Sequence, residues 1–487
     1  MEWTREQKYR KLEDATIDEL TLLEKQVAQC PWRQTFHIQP KTGLLNDPNG
    51  LAFYQGEYHI FYQWFPLGPV HGLKYWYHLK STDLINWQDL GIGITPDQYY
   101  ENYGAYSGSG FEHDGDLYLM YTGNHRDENM VRHPMQAIAI MKPDGQIEKL
   151  LEPVIKDVPE GYTEHFRDPK VWEQDGIYYA IIGAQRQNET GCTVLYCSTN
   201  AMEWTFLGEI KTELDHFGYM WECPDYFELD GKGVLVFSPQ GLEPTEDKYQ
   251  NIYQTGFLIG GTLDLQTHTF SHGEFNELDN GFDFYAPQSF EDDKGRRIIV
   301  GWMGLPDIDY PTDKNGWAHC LTLPRELKIV NNRLHQVPVS ELENLRKEEQ
   351  HLSSIVDNNV VELGAGVQYE LECEFTHIHA QEVGLQLRAG NGEQTILKYD
   401  TVNKKIILDR SESGMEVAVD YGTTRQVPYD GESLKLRIFM DTSSIEIFIN
   451  DGEFVMTSRI FPTNDDNKVN IFAVNGSVET ECRKWDY

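Results

Sequence analysis

Positive charge is scarce in this chain of 487 residues: 41 lysines and arginines stand against 78 aspartates and glutamates, a formal net charge of -37. Nucleic acid and anionic membrane both require clustered cations, so neither is expected as a partner. No apolar stretch is long enough to span a bilayer, and the first thirty residues carry charge throughout, without the apolar core of a secretory signal. A cytoplasmic location is expected. Cysteine is sparse and odd in number: Cys30, Cys192, Cys197, Cys223, Cys320, Cys373 and Cys482 are scattered, with no C-x-x-C or Cys/His ligand spacing. That excludes a zinc site, points to a reducing compartment, and leaves no metal or other cofactor expected.

Aromatic residues, in contrast, are plentiful, with 27 Tyr, 22 Phe and 11 Trp, as suits a β-rich protein or a pocket that stacks on sugar faces. The length calls for two domains. Residues 1–30 carry Leu12, Ile17, Leu20 and Leu23 at helical spacing and read as a helical extension. From 31 to 338 a glycine repeatedly opens an apolar strand, at Gly56, Gly115, Gly176, Gly231 and Gly295, with separations of 59, 61, 55 and 64 residues. A second repeat reinforces the first: Ser81-Thr82-Asp83-Leu84-Ile85-Asn86-Trp87 recurs 117 residues later as Ser198-Thr199-Asn200-Ala201-Met202-Glu203-Trp204. Five strand-and-turn units of this size predict a five-bladed β-propeller. Residues 339–350 read as a capped linker helix. Residues 351–487, with alternating strands such as Ile445-Glu446-Ile447-Phe448-Ile449 running into Asn450-Asp451-Gly452, read as a β-sandwich. The fold expected is therefore all-β.

Three acids stand in turn-forming contexts at related places in this repeat. Asp47 lies in Asn46-Asp47-Pro48-Asn49-Gly50, Asp168 in Arg167-Asp168-Pro169, and Glu222 in Glu222-Cys223-Pro224, each eight or nine residues before a strand-opening glycine. In a propeller they begin the inner strands of blades one, three and four and converge at one mouth of the channel, with Ser107 and Ala286 at the matching places of blades two and five. The loops joining second to third strands then rim that mouth. Calcium is a weak reading, because its ligands usually come from one loop and these acids are 121 and 54 residues apart. Hydrolysis of a glycoside needs two carboxyls facing one bond, one ionised and one protonated, and Asp47 with Glu222 fits that need. Arg167 is placed to pair with a carboxylate of the site. Cys223 reads as packing.

These stretches, together with Phe36-His37-Ile38-Gln39-Pro40 and Tyr106-Ser107-Gly108-Ser109, resemble the glycoside hydrolase family of invertases, sucrose-6-phosphate hydrolases and fructan hydrolases over nearly the whole chain. The resemblance implies a retaining hydrolase of β-fructofuranosides, with Asp47 as nucleophile, Glu222 as general acid/base and Asp168 holding fructose hydroxyls. Asn46, Gln63, Trp64, Ser107, Arg167 and Trp302 are the expected substrate-binding residues. The partner is then a small fructoside or an oligosaccharide; the sequence sets no oligomeric state. A non-catalytic carbohydrate-binding propeller and a fructan-building transferase are the rival readings, the first disfavoured because a binder has no use for opposed acids. Two rim loops are basic against the trend of the chain, and Lys74, Arg126 and Arg132 are the candidate contacts for a phosphate on sucrose. Without that phosphate, fructo-oligosaccharides become the alternative substrate.

Overall fold

The structure, a computed structural model, describes residues 3–487. Five antiparallel sheets follow one another between Gly43 and Pro338, each with four principal strands, and form the blades of a propeller. In blades one to four the first two strands are joined by Gln55-Gly56, Asp114-Gly115, Asp175-Gly176 and Asp230-Gly231, all with φ between 49° and 83°. Two consecutive residues at positive φ define the turn whose twist matches that of the flanking strands, which is why glycine marks each repeat. The internal repeat has an equally local cause. Asp83 Oδ1 accepts the N–H groups of Ile85 and Asn86, and Asn200 Oδ1 accepts those of Met202 and Glu203, while the indoles of Trp87 and Trp204 donate to Leu84 O and Ala201 O. The same side-chain turn thus links strands three and four in blades one and three. The ring closes where Trp317-Ala318, from the last blade's long loop, pairs in parallel with Gly43-Leu44 of the first inner strand.

Two six-stranded sheets form the sandwich, with Leu371, Leu385, Ile438, Ile447 and Ile471 in its core. The expected capped linker helix is instead a single 3₁₀ segment, Ser340–Leu345, without a side-chain cap, and Glu349 already opens a sandwich strand. At the N-terminus, Ile17–Ala28 is an α-helix capped by Thr16, and its Val27 packs on Trp317. Cys373 and Cys482 lie directly opposite on neighbouring sandwich strands and are joined in a disulfide, which departs from the expectation of scattered thiols in a reducing compartment; their separation of 109 residues conceals the pairing from a reading of spacing. No helix among the described residues is long and apolar enough to cross a membrane.

Buried charges lock the sandwich to the propeller. Arg325 donates to Glu446 Oε2 at 2.6 Å and pairs with Asp279 at 3.2 Å, and Arg410 pairs with Asp283 at 2.8 Å. His37 lies between Asp441 Oδ2, 2.8 Å from Nδ1, and Glu446 Oε1, 2.9 Å from Nε2, so both nitrogens donate only as imidazolium. Burial pushes this imidazole down, but the two carboxylates more than offset it and raise it to about 9. A raised folded value means the contribution is complete below the ordinary histidine range and fades as pH climbs through 9; integrated, it is on the order of 3 kcal/mol. Thermal unfolding of wild type and His37→Gln between pH 6 and 9.5 checks this. The wild type should lose its margin over the variant as pH rises; parallel curves would remove His37 from the account.

Candidate active site

The inner strand of every blade breaks register at the same place. Regular pairing with the second strand is interrupted between Leu45 and Pro48, Ala105 and Gly108, Arg167 and Lys170, Glu222 and Asp225, and Tyr285 and Gln288. The residues freed are Asn46-Asp47, Tyr106-Ser107, Asp168-Pro169, Cys223-Pro224 and Ala286-Pro287. A bulge turns side chains out of the pleat, and proline is tolerated there because no ladder bond is lost. Asp168, Cys223 and Ala286 accordingly hold positive φ of 67°, 46° and 46°. The acids do not begin their strands at one register, as the spacing predicts. Asp47 is the second bulged residue of its strand, Asp168 the first, and Glu222 the last paired residue before the bulge.

The three carboxylates are divided by their donors. Asp47 Oδ2 accepts the Ser107 hydroxyl at 2.5 Å and the Cys223 thiol at 3.5 Å, and its Oδ1 accepts Asn46 Nδ2 at 2.9 Å. Glu222 Oε1 accepts Arg167 Nε and a terminal guanidinium nitrogen at 2.9 and 2.6 Å, and Oε2 accepts the Tyr285 phenol at 2.6 Å. Asp168 Oδ2 accepts the backbone N–H of Cys223 at 3.0 Å and lies 4.0 Å from Arg167 Nε. Burial raises the Asp47 carboxyl, opposed by Ser107 and Asn46 and reinforced by Glu222. Burial drives Asp168 up to about 7, with Arg167 opposing and Glu222 and Asp47 adding to the push. Burial, then Asp168, Asp47 and Glu222, lift the Cys223 thiol well above its usual range, so it stays protonated and has no nucleophilic role. Among the described residues no group of His, Cys, Asp and Glu is arranged to hold a metal ion.

Strand alternation sorts the other candidates. Gln63 faces Asn46 and Ser107, bonding to both, so Trp64 must face the opposite side. There its indole donates to Thr42 O at 2.6 Å inside an apolar cluster; Trp64 is a packing residue, contrary to the expectation from the sequence. Trp302 is buried behind Tyr285, with ring centroids 6.1 Å apart, and 5.8 Å from His71. His71 is solvent-exposed at the rim. Tyr285 escapes a reading of the sequence, since only the neighbouring blade brings it to Glu222, whereas Cys223, read as packing, also reaches Asp47 Oδ2.

The basic residues of the rim separate into two groups. Lys74 is 3% exposed and donates to Asn46 Oδ1 at 2.6 Å, so it is turned away from any phosphate at the mouth. Arg126 and Arg132 are directly opposed in the blade-two hairpin. Asp127, a possible partner for either, instead accepts two backbone N–H groups of its own turn and His133. Arg126 donates to Met130 O at 2.9 Å, whereas Arg132 makes no ion pair among the described residues and its buried Nε has no partner. The N-terminal segment closes this wall: Lys8 O accepts Leu73 N at 2.8 Å, Leu12 N donates to Tyr75 OH at 2.9 Å, and the Tyr9 ring packs tilted at 51° against Tyr103, with centroids 4.6 Å apart. Arg126 and Arg132 both bear on the Tyr9 phenol, which burial raises.

A propeller that gathers one ringed carboxylate, one arginine-bound carboxylate and a third, deeper acid at its mouth defines a glycoside hydrolase. Residues 37–338 match the family described as glycosyl hydrolases family 32 N-terminal domain, and residues 341–486 its C-terminal counterpart. A sucrose-6-phosphate hydrolase of Staphylococcus xylosus is 48% identical over all of this chain and 98% of its own length. The solved sucrose-6-phosphate hydrolase of Lactobacillus gasseri is 41% identical with a TM-score of 0.94, covering 100% of this chain and 99% of that one. A family 32 β-fructofuranosidase of Bombyx mori is 32% identical with a TM-score of 0.84, covering 98% and 99%. The chain belongs to glycosyl hydrolase family 32.

Proposed function

We propose that this enzyme hydrolyses sucrose-6-phosphate with retention at the fructosyl anomeric carbon, Asp47 acting as nucleophile, Glu222 as general acid/base and Asp168 as a binder of fructose hydroxyls. Asp47 attacks the anomeric carbon while Glu222 gives its proton to the departing glucosyl oxygen; Glu222 then takes a proton from water, whose oxygen replaces Asp47 and frees fructose. The division of donors supports these roles. Asp47 receives only neutral donors, from Ser107 and Asn46, Glu222 is oriented by Arg167 and Tyr285, and Asp168 is the deepest of the three acids, raised by burial to about 7.

The observation that carries the substrate is Arg132, a half-buried guanidinium without a carboxylate partner among the described residues, in a chain of net charge -37. A buried unpaired charge is costly, and a phosphate ester would supply the missing partner bidentately. Relatives named for sucrose-6-phosphate hydrolysis support the same reading. A sugar phosphate does not cross a bilayer unaided, so on this reading the enzyme works in the cytoplasm. Reducing-sugar release from sucrose-6-phosphate, sucrose, short fructo-oligosaccharides and long fructan, measured side by side, tests it. The phosphorylated disaccharide should give the highest kcat/KM; a preference for fructo-oligosaccharides would transfer the assignment to an intracellular fructan-oligosaccharide hydrolase.

A further inference from the structure

We propose that Lys74 is a positioning residue whose ammonium sets the direction of the hydrogen bonds that Asn46 and Ser107 give to Asp47; the proposal rests on Asp47 being the nucleophile. Lys74 closes the blade-one rim loop and is clamped against blade two, where its carbonyl accepts Ala105 N at 2.9 Å. A Cβ on the adjoining Gly104 would come within 2.9 Å of Lys74 N, so the two chains meet as closely as backbone allows. The side chain runs inward, and its Nζ donates to Asn46 Oδ1 at 2.6 Å, with no carboxylate at ion-pair distance among the described residues.

An ammonium can only donate, so Asn46 must turn its Oδ1 to Lys74 and its Nδ2 away. That Nδ2 donates to Asp47 Oδ1 at 2.9 Å and to Gln63 Oε1 at 3.1 Å. With its carbonyl occupied, Gln63 presents Nε2 to Ser107 Oγ at 2.5 Å. Ser107, already accepting, is left with its single proton to give to Asp47 Oδ2 at 2.5 Å. The ring therefore has a donor-only group at one end, a carboxylate at the other, and two amides and a hydroxyl whose orientations follow without choice. Remove the ammonium and Asn46 and Gln63 are free to reverse, turning a carbonyl toward Asp47 and spending the Ser107 proton on Gln63. A carboxylate stripped of two donors is harder to keep ionised and a poorer leaving group when water releases fructose. Burial pushes the Lys74 ammonium down to about 7 while Asp47 pulls it back, so the donor-only form that fixes the ring prevails below that value and gives way to the neutral amine above it.

The test compares wild type, Lys74→Met, Lys74→Gln and Asp47→Ala on sucrose and sucrose-6-phosphate across pH, with folding checked by thermal unfolding. The other titratable groups facing Asp47 are Glu222, Asp168 and Cys223, and all remain in the Lys74 variants. Lys74→Met should lower kcat about tenfold or more on both substrates alike and move the acid limb of kcat/KM upward. Lys74→Gln, whose amide donates but imposes no direction, should fall between, and decides the matter alone should Lys74→Met not fold. A folded variant with wild-type kcat and acid limb overturns the proposal, as does a loss confined to the phosphorylated substrate, which returns Lys74 to phosphate binding. Activity in Asp47→Ala is a different result and strikes the nucleophile assignment itself.

Discussion

Asp47→Ala lowers kcat by about four orders of magnitude or more while leaving the propeller folded, because the nucleophile acts only along the reaction path. The side chain is held by neutral donors rather than by an ion pair, so its loss strands no buried cation at hydrogen-bond distance from it. Glu222→Gln preserves the size of the acid and its place beside Arg167 and Tyr285 but carries no transferable proton. It should be as slow on sucrose, whose glucosyl oxygen must be protonated to leave, and much less impaired in the first step with fructosyl fluoride, whose leaving group needs no acid. Azide or formate should partly restore an Asp47→Gly variant by filling the place of the missing carboxylate. Steady-state kinetics with sucrose and fructosyl fluoride, with and without azide or formate, checks all of this, and full activity in Asp47→Ala ends the assignment.

Arg132→Gln cuts kcat/KM for sucrose-6-phosphate about ten- to a hundredfold, about 1.5 to 3 kcal/mol of lost transition-state binding, and that for sucrose far less. Arg126→Gln has a smaller effect, since part of that guanidinium is already spent on Met130 O. The wild-type preference should also weaken with added salt, although less than for an exposed cation, because the wall formed by Tyr9 and the blade-two hairpin shields Arg132. Arg132→Gln should not lower the thermal midpoint, since it removes a half-buried charge that has no carboxylate partner among the described residues. Equal losses on both substrates would place Arg132 in the general support of the pocket rather than on a phosphate.

What the sequence discloses about this site depends on how local the physics is. The hairpin glycines of blades one to four are legible because each turn demands positive φ from two adjacent residues, and the aspartate and asparagine turns at Asp83 and Asn200 are legible because each is made by a side chain bonding its own neighbours. The acids could be found beside their prolines for the same reason. The bulges could not, since a register break shows only against the partner strand, and so the three acids stand at three positions instead of one. Lys74 and Trp64 were open to misreading because the burial of a rim-loop lysine and the facing of a strand-end tryptophan are set by blade two and by Thr42. Cys373 and Cys482 are neighbours only through strand pairing. Tyr9 reaches the arginine wall only because the N-terminal segment folds back across two rim loops.

The central claim is a covalent fructosyl intermediate on Asp47. Acid quenching of Glu222→Gln after exposure to fructosyl fluoride, followed by proteolysis and mass spectrometry, tests it most directly. The peptide containing Asp47 should gain the mass of one fructosyl residue, with fragmentation placing it on that side chain, and the adduct should be absent from the Glu222→Gln/Asp47→Ala double variant. An adduct on Asp168 or any other residue, or turnover with inversion and no adduct at any time point, would contradict the account.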